Sequence, residues 1–343
     1  MRAVTFQGPE QVRIEEKPEP ELAAPDDVIV AVEASGVCGS DLHIYHGRVP
    51  VEAGFTIGHE LVGTVVAAGD GVERVAVGDR VVASFFTACG TCAPCLRGDY
   101  HRCANGRTFG HGAHLGNLQG TQAEKVLVPH ANLTLRRVPD SIGTDVALFA
   151  GDVLATGFHA VEYGGLRAGD TVAVLGLGPV GLCAVQSALA GGATEVFAID
   201  GVEQRLAMAA EFGATPVHLT EQDPKREIRA ATGGGVDLSV DAVGNPEPLA
   251  LAISLTRDVG VVSGIGAYAG RAEVPLGLAW LKGLQLRLGV ANVIGQIDRV
   301  LALIEAGRLD PGPIVSDHMP LAEAAEAYAI FDRREALKIV LRP

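Results

Sequence analysis

A chain of 343 residues has room for two domains, and with 48% apolar and 20% charged residues it can bury a large core. A formal net charge of −14 argues against nucleic acid or an anionic membrane as the main partner, because both call for a basic surface. No secretion signal is expected, so the six cysteines are expected to be thiols or metal ligands rather than a disulfide framework.

In chain order, residues 2–6, 11–15, 27–35, 61–68 and 79–83 are rich in Val and Ile and are broken by Gly, Pro and Asp. They predict short strands of a β-rich domain. Met1–Pro9 alternates like a strand and has no apolar leader core, which points to the cytoplasm. Cys38, in Gly36-Val37-Cys38-Gly39-Ser40-Asp41, can act as a thiolate ligand. Ser40 can hold a hydroxyl near an open metal position, and Asp41 can orient an imidazole through a carboxylate hydrogen bond. His43 can carry a proton outward at neutral pH. Ser40-Asp41 also suits a helix N-cap, and His46 is expected at the surface.

Gly58-His59-Glu60 follows. Alone it reads as a core histidine beside a solvated glutamate. Together with Cys38 and Asp152 it reads as a metal ligand, with Glu60 as a further ligand or a group behind the ligands. Sulfur, imidazole and carboxylate suit zinc, and three protein ligands leave a fourth position open for chemistry. Cys89, Cys92, Cys95 and Cys103 are separated by two, two and seven residues, which can close a tetrahedron around a structural zinc. An iron–sulfur cluster is the rival for four cysteines, and a nucleic-acid zinc ribbon is disfavoured by the acidic balance.

These motifs resemble those of the zinc-dependent medium-chain alcohol dehydrogenases. Gly58-His59-Glu60-Leu61-Val62-Gly63 with Gly69 and Val72 is similar to that family's zinc signature. The Cys89–Cys103 loop is similar to its structural-zinc lobe, and Gly36–Asp41 to its first ligand turn. Phe109–Glu124 is closer to the formaldehyde-dehydrogenase-like branch, although Lys125 stands where many relatives carry an aromatic residue. The resemblance implies an α/β chain: a GroES-like β-rich catalytic domain, 1–153, and a doubly wound parallel-sheet Rossmann domain, 154–290. Residues 291–343 then return to the catalytic domain. It also implies that Asp152 is the third side-chain ligand of the catalytic zinc.

Further on, Thr171–Leu175 reads as a buried strand running into Gly176-Leu177-Gly178-Pro179-Val180-Gly181 and then a helix. This is the turn that admits a dinucleotide pyrophosphate to a helix N-terminus, so Gly176, Gly178, Pro179, Val180 and Gly181 are expected at the cofactor. Asp200 ends the next strand, where a carboxylate can accept ribose hydroxyls and repel a 2′-phosphate; NAD is favoured over NADP. Arg205 is a nearby cation that also suits an exposed helix position. Strands are predicted at 215–219, 236–241, 259–264 and 285–290. By resemblance, Val243 and Gly264 line the nicotinamide side. Helices are predicted at 297–307 and 321–333, with a last strand at 338–343.

The function implied is hydride transfer between an alcohol and NAD, with two zinc ions per chain. The alcohol proton would leave through Ser40, a cofactor ribose hydroxyl and His43, and Phe85 and Phe86 can line the pocket. The partners expected are a small alcohol or aldehyde and further copies of the chain, as a tetramer rather than a dimer, with no nucleic acid or membrane. The alternatives are an aldehyde dismutase with tightly held NAD, a polyol- or threonine-type dehydrogenase, and a zinc-free quinone reductase, which would not need Cys38, His59 and Asp152.

Overall fold

The computed structural model describes residues 1–268 and 273–343. The chain divides into two compact units, Met1–Asp152 with Asn292–Pro343, and Val153–Ala291.

The first unit is built on a seven-stranded sheet whose central strand is Val28–Val37. Its β-branched run is buried at all positions but Ala31 and Glu33. It pairs antiparallel with Leu61–Ala68, Lys125–Val128 and Ile339–Arg342. Two registers matter for the site. Ala34 faces Val62, and Val37 faces Ile339. Cys38 leaves the end of one strand just where His59 and Glu60 enter the second and Lys338 enters the third. The returning segment also contributes core, since Tyr328, Ile339 and Leu341 pack with Val4, Val37 and Ile57. Its helix Ile297–Glu305 buries Ile297, Val300 and Leu301, the i, i+3, i+4 stripe of an amphipathic helix. Each such side chain is worth roughly 1.5–3 kcal/mol when fully buried.

The second unit is a six-stranded parallel sheet. Its spatial order is Thr215–His218, Glu195–Asp200, Thr171–Leu175, Val236–Asp241, Thr256–Gly264, Gln285–Leu288. The order reverses direction between Thr171–Leu175 and Val236–Asp241, which creates the crevice where open α/β sheets bind ligands. The uncharged stretch Thr171–Thr194 holds, as expected, the strand Thr171–Leu175, the glycine turn and the helix Pro179–Ala190. Gly181 must lack a side chain, because a Cβ there would lie 1.8 Å from the Gly176 carbonyl oxygen. Among the described residues no helix is long and apolar enough to cross a membrane.

Element ends differ slightly from expectation. The last sheet strand stops at Leu288, and the helix expected over 321–333 begins as a 3-10 turn, Leu321–Glu323, before Ala324–Asp332. The helix Gly39–Tyr45 is capped by Cys38 rather than by Ser40-Asp41; Asp41, inside its first turn, accepts from the Cys38 amide at 3.0 Å.

Candidate functional site

Cys38, His59, Glu60 and Asp152 offer ligand atoms that all lie within 4.8 Å of one another. Asp152 Oδ2 is 3.7 Å from Cys38 Sγ and 3.2 Å from His59 Nε2. A zinc tetrahedron with bonds of about 2.0–2.3 Å has edges of about 3.3–3.8 Å, so these spacings suit one ion. His59 is buried, and its Nδ1–H donates to Asp41 Oδ1 at 3.0 Å. A carboxylate can only accept, so this bond fixes a proton on Nδ1 and turns Nε2 toward Asp152, where it can serve a metal once it gives up any proton of its own. Ser40 Oγ lies 3.1 Å from that Nε2.

The electrostatics also call for a cation. Burial would pull the His59 imidazole down, but the Asp41 and Asp152 carboxylates overrule it and hold it well above the ordinary histidine value. Burial and the Asp152 charge push the Cys38 thiol up. The cluster therefore retains protons where a divalent ion would balance its thiolate and carboxylate.

Glu60 is not simply a spare ligand. Its carboxylate is fully buried and accepts from the Nζ of Lys338 at both oxygens, while the same Nζ donates to the Val37 carbonyl at 3.3 Å. Burial would lower the Lys338 ammonium, but the Glu60 charge holds it above the ordinary lysine value. Sequence reading passed over Lys338 as part of a last strand. A single lysine inside the apolar run Ala336–Leu341 was the available signal, because a buried cation needs a partner.

His111 is a second residue the sequence reading gave no role. Its ring centroid lies 5.3 Å from that of His59, and its Nδ1–H donates to the Phe109 carbonyl at 2.8 Å. Phe85 stands edge-on to His59 at 6.2 Å, while Phe86 is buried behind it. His43 is partly buried one helical turn beyond Ser40; burial, then Arg48 and His46, hold its imidazole below the ordinary value. His46 is half-buried rather than at the surface, with Nε2 2.8 Å from Asp332.

Cys89, Cys92, Cys95 and Cys103 form the second group. Sγ separations of 3.5 Å for Cys89–Cys103 and 3.8 Å for Cys92–Cys103 are close to the edge of a tetrathiolate tetrahedron, about 3.8 Å. Bonds from the Thr91 hydroxyl and amide bring Cys89 down to about 5, whereas burial pushes Cys95 up to about 12. Four cysteine sulfurs this close can share one ion. The Asn292 side chain donates to the Gly98 carbonyl at 2.7 Å, tying the returning segment to this loop.

In the second unit Asp200 is already occupied. Its Oδ2 accepts from the Leu177 amide at 2.6 Å, and its Oδ1 from the Gly201 and Val202 amides. Arg205 is not exposed on its helix but partly buried, 3.7 Å from Asp200. Val243 lies against Gly176, and Gly264 lies beneath the Tyr268 ring.

A zinc-suited donor cluster on a β-rich unit, followed by a glycine turn at the switch point of a parallel sheet, defines a metal- and dinucleotide-dependent dehydrogenase. Residues 24–140 match the alcohol dehydrogenase GroES-like domain, and residues 179–306 match the zinc-binding dehydrogenase family. The whole chain is 42% identical to 89% of a probable zinc-binding alcohol dehydrogenase of Mycobacterium tuberculosis. It is also similar to the alcohol dehydrogenase of Thermus sp. ATN1: 45% identity over 100% of this chain and 99% of that one, TM-score 0.97. An Escherichia coli alcohol dehydrogenase complexed with NADH covers 100% of this chain and 99% of its own, at 27% identity and TM-score 0.89.

The chain belongs to the zinc-dependent medium-chain alcohol dehydrogenase family. It is an oxidoreductase that transfers a hydride between an alcohol and NAD; these relatives do not favour the dismutase or polyol- and threonine-type alternatives.

Proposed function

We propose that Cys38, His59 and Asp152 hold the catalytic zinc, with Glu60 beside them, and that Cys89, Cys92, Cys95 and Cys103 hold a second, structural zinc. The observation that carries this is the convergence of three unlike donors, from residues 38, 59 and 152, within 4.8 Å. Zinc, when bound, lowers the pKa of a hydroxyl from near 16 toward about 7, and NAD accepts the hydride. Asp41 holds His59 in the ligating tautomer, while Cys38 and Asp152 supply the negative charge that retains a divalent ion. Ser40 Oγ receives the alcohol proton, and His43, neutral at pH 7 because burial lowers its pKa, takes it onward. His43→Ala is expected to slow turnover more at neutral pH than at high pH. Equal slowing across the pH profile would reject the relay. The wider test is a screen of NAD reduction with simple alcohols, polyols and hydroxy amino acids, together with zinc counted per chain; about two ions per chain are expected.

For the cofactor, the glycine turn receives the pyrophosphate through Gly176, Gly178, Pro179, Val180 and Gly181, and Asp200 receives the adenosine ribose, with Val243 and Gly264 toward the nicotinamide. Removing Asp200 both uncovers Arg205 and ends repulsion of a 2′-phosphate. Asp200→Gly is therefore expected to narrow the kcat/KM preference for NAD over NADP by roughly 10–100-fold, the scale of one charge-assisted contact. An unchanged ratio would place the ribose elsewhere.

The chain is further read as a cytoplasmic homotetramer. Among the described residues the edge strand Gln285–Leu288 has one unpaired side, and beside it in sequence Leu276, Leu281 and an 82%-exposed Trp280 form an apolar helix face. A second copy pairing at this edge would cover both. Light scattering should return about four times the 35.5 kDa chain mass, and a monomer would refute the reading.

A further inference from the structure

The carboxyl ends of two neighbouring strands in the second unit, Val236–Asp241 and Thr256–Gly264, carry loops that touch through their backbones. A Cβ on Gly244 would lie 2.6 Å from the Ala267 amide nitrogen, and one on Gly266 would lie 2.2 Å from the Gly244 amide nitrogen. Only paired glycines allow this approach. The first loop also leans on the glycine turn. The Ala242 amide donates to the Leu175 carbonyl at 3.0 Å, and a Cβ on Gly176 would lie 2.3 Å from a Val243 methyl.

One residue ties these parts together. Asp241 is fully buried; its Oδ1 accepts from the Val243 and Gly244 amides at 2.8 and 3.2 Å. Its carbonyl accepts from the Ile265 and Gly266 amides at 2.9 and 3.1 Å. The remaining carboxylate oxygen, Oδ2, accepts from the Tyr268 hydroxyl. These carboxylate partners are all neutral donors, so burial is not offset by a cation and pushes the Asp241 carboxyl up. Burial and the adjacent carboxylate also push Tyr268 far up, so its hydroxyl keeps its proton and donates throughout the neutral range. Without that hydroxyl, Oδ2 loses its donor and the second loop loses its side-chain tie to the first.

We infer that the Tyr268–Asp241 hydrogen bond is a latch that fixes residues 242–244 and 265–268 beside the glycine turn and thereby sets the affinity for NAD, with Tyr268 a positioning residue. This rests on the assignment of the dinucleotide to the carboxyl ends of this sheet, and it adds a determinant of affinity beyond the cofactor residues proposed above.

The test is Tyr268→Phe in the full-length zinc-loaded enzyme, with NAD affinity read by calorimetry and by steady-state kinetics. Kd and KM for NAD are expected to rise about tenfold, the scale of a bond to a buried charged group. The alcohol KM, the zinc content and kcat at saturating NAD should stay within about threefold. Gly178→Asp serves as the control, because nothing lies within 4 Å of its added Cβ and its φ is −64°, so the substitution tests phosphate access rather than packing. Weaker NAD binding in Gly178→Asp with unchanged binding in Tyr268→Phe would overturn the latch alone, even if Tyr268→Phe melts earlier. Unchanged binding in both would overturn the cofactor assignment beneath it.

Discussion

His59→Ala should lower zinc from about two ions per chain to about one and reduce kcat by on the order of 10³-fold or more. Zinc-assisted ionisation carries a hydroxyl from near 16 to about 7. That is roughly 12 kcal/mol at 1.36 kcal/mol per unit. If only a third of this separates the rates, the loss is already close to 10³-fold. The fold should survive, because the main apolar clusters of this unit, around Val30, Leu61 and Val81 and around Val4, Ile57 and Tyr328, do not include His59. Cys38→Ser is the gentler companion, since it keeps the shape and removes only the soft donor. Zinc analysis, a melting curve and alcohol-dependent NADH formation decide the matter. Wild-type turnover with two retained ions would end the assignment of Cys38, His59 and Asp152 to one ion.

Lys338→Met should destabilise the first unit by about 3–5 kcal/mol, the usual cost of stripping one partner from a buried ion pair. The reason is asymmetry. The pair is fully buried, and methionine fills most of the lysine's volume but leaves the Glu60 charge in a low-dielectric site beside Asp152 and Cys38. Burial already pushes Glu60 up against the pull of Lys338. Without the lysine, that carboxylate must take a proton or find another cation. Glu60→Gln added to Lys338→Met should therefore restore most of the lost stability, whereas a packing defect at residue 338 would persist in the double variant. Melting temperatures of the two single variants and the double variant measure the coupling. Additive losses would show that the lysine acts through its bulk rather than its charge. Lys338→Arg, which keeps the charge, should lose less than Lys338→Met.

Much of this molecule was open to sequence reading because the signals were local. The glycine turn follows a β-branched strand and precedes a helix with proline at its first position, all within residues 171–190. The four thiols at residues 89–103 need no distant partner to announce a metal. The strand runs of both units follow the same rule, since period and composition act over a few residues. The reading weakened wherever a residue's meaning depended on what pairs with it. For Arg205 an exposed helix position stood open beside a cofactor contact, because helix composition does not show that Asp200 lies 3.7 Å away. His46 was placed at the surface because nothing nearby in sequence announces Asp332.

The amino-acid order by itself determined the chain's class, its two candidate zinc groups and its candidate dinucleotide turn, because donor type and glycine spacing are chemical facts before folding. Tertiary structure alone decided that Glu60 is held by Lys338, that His111 packs against His59, and that Asp241 joins two loops through Tyr268. For Glu60 and Lys338 the cause is register: once Ile339 pairs with Val37, and Ala34 with Val62, residues nearly three hundred positions apart become neighbours. A burial cost that no local pattern encodes then dictates which charges must meet.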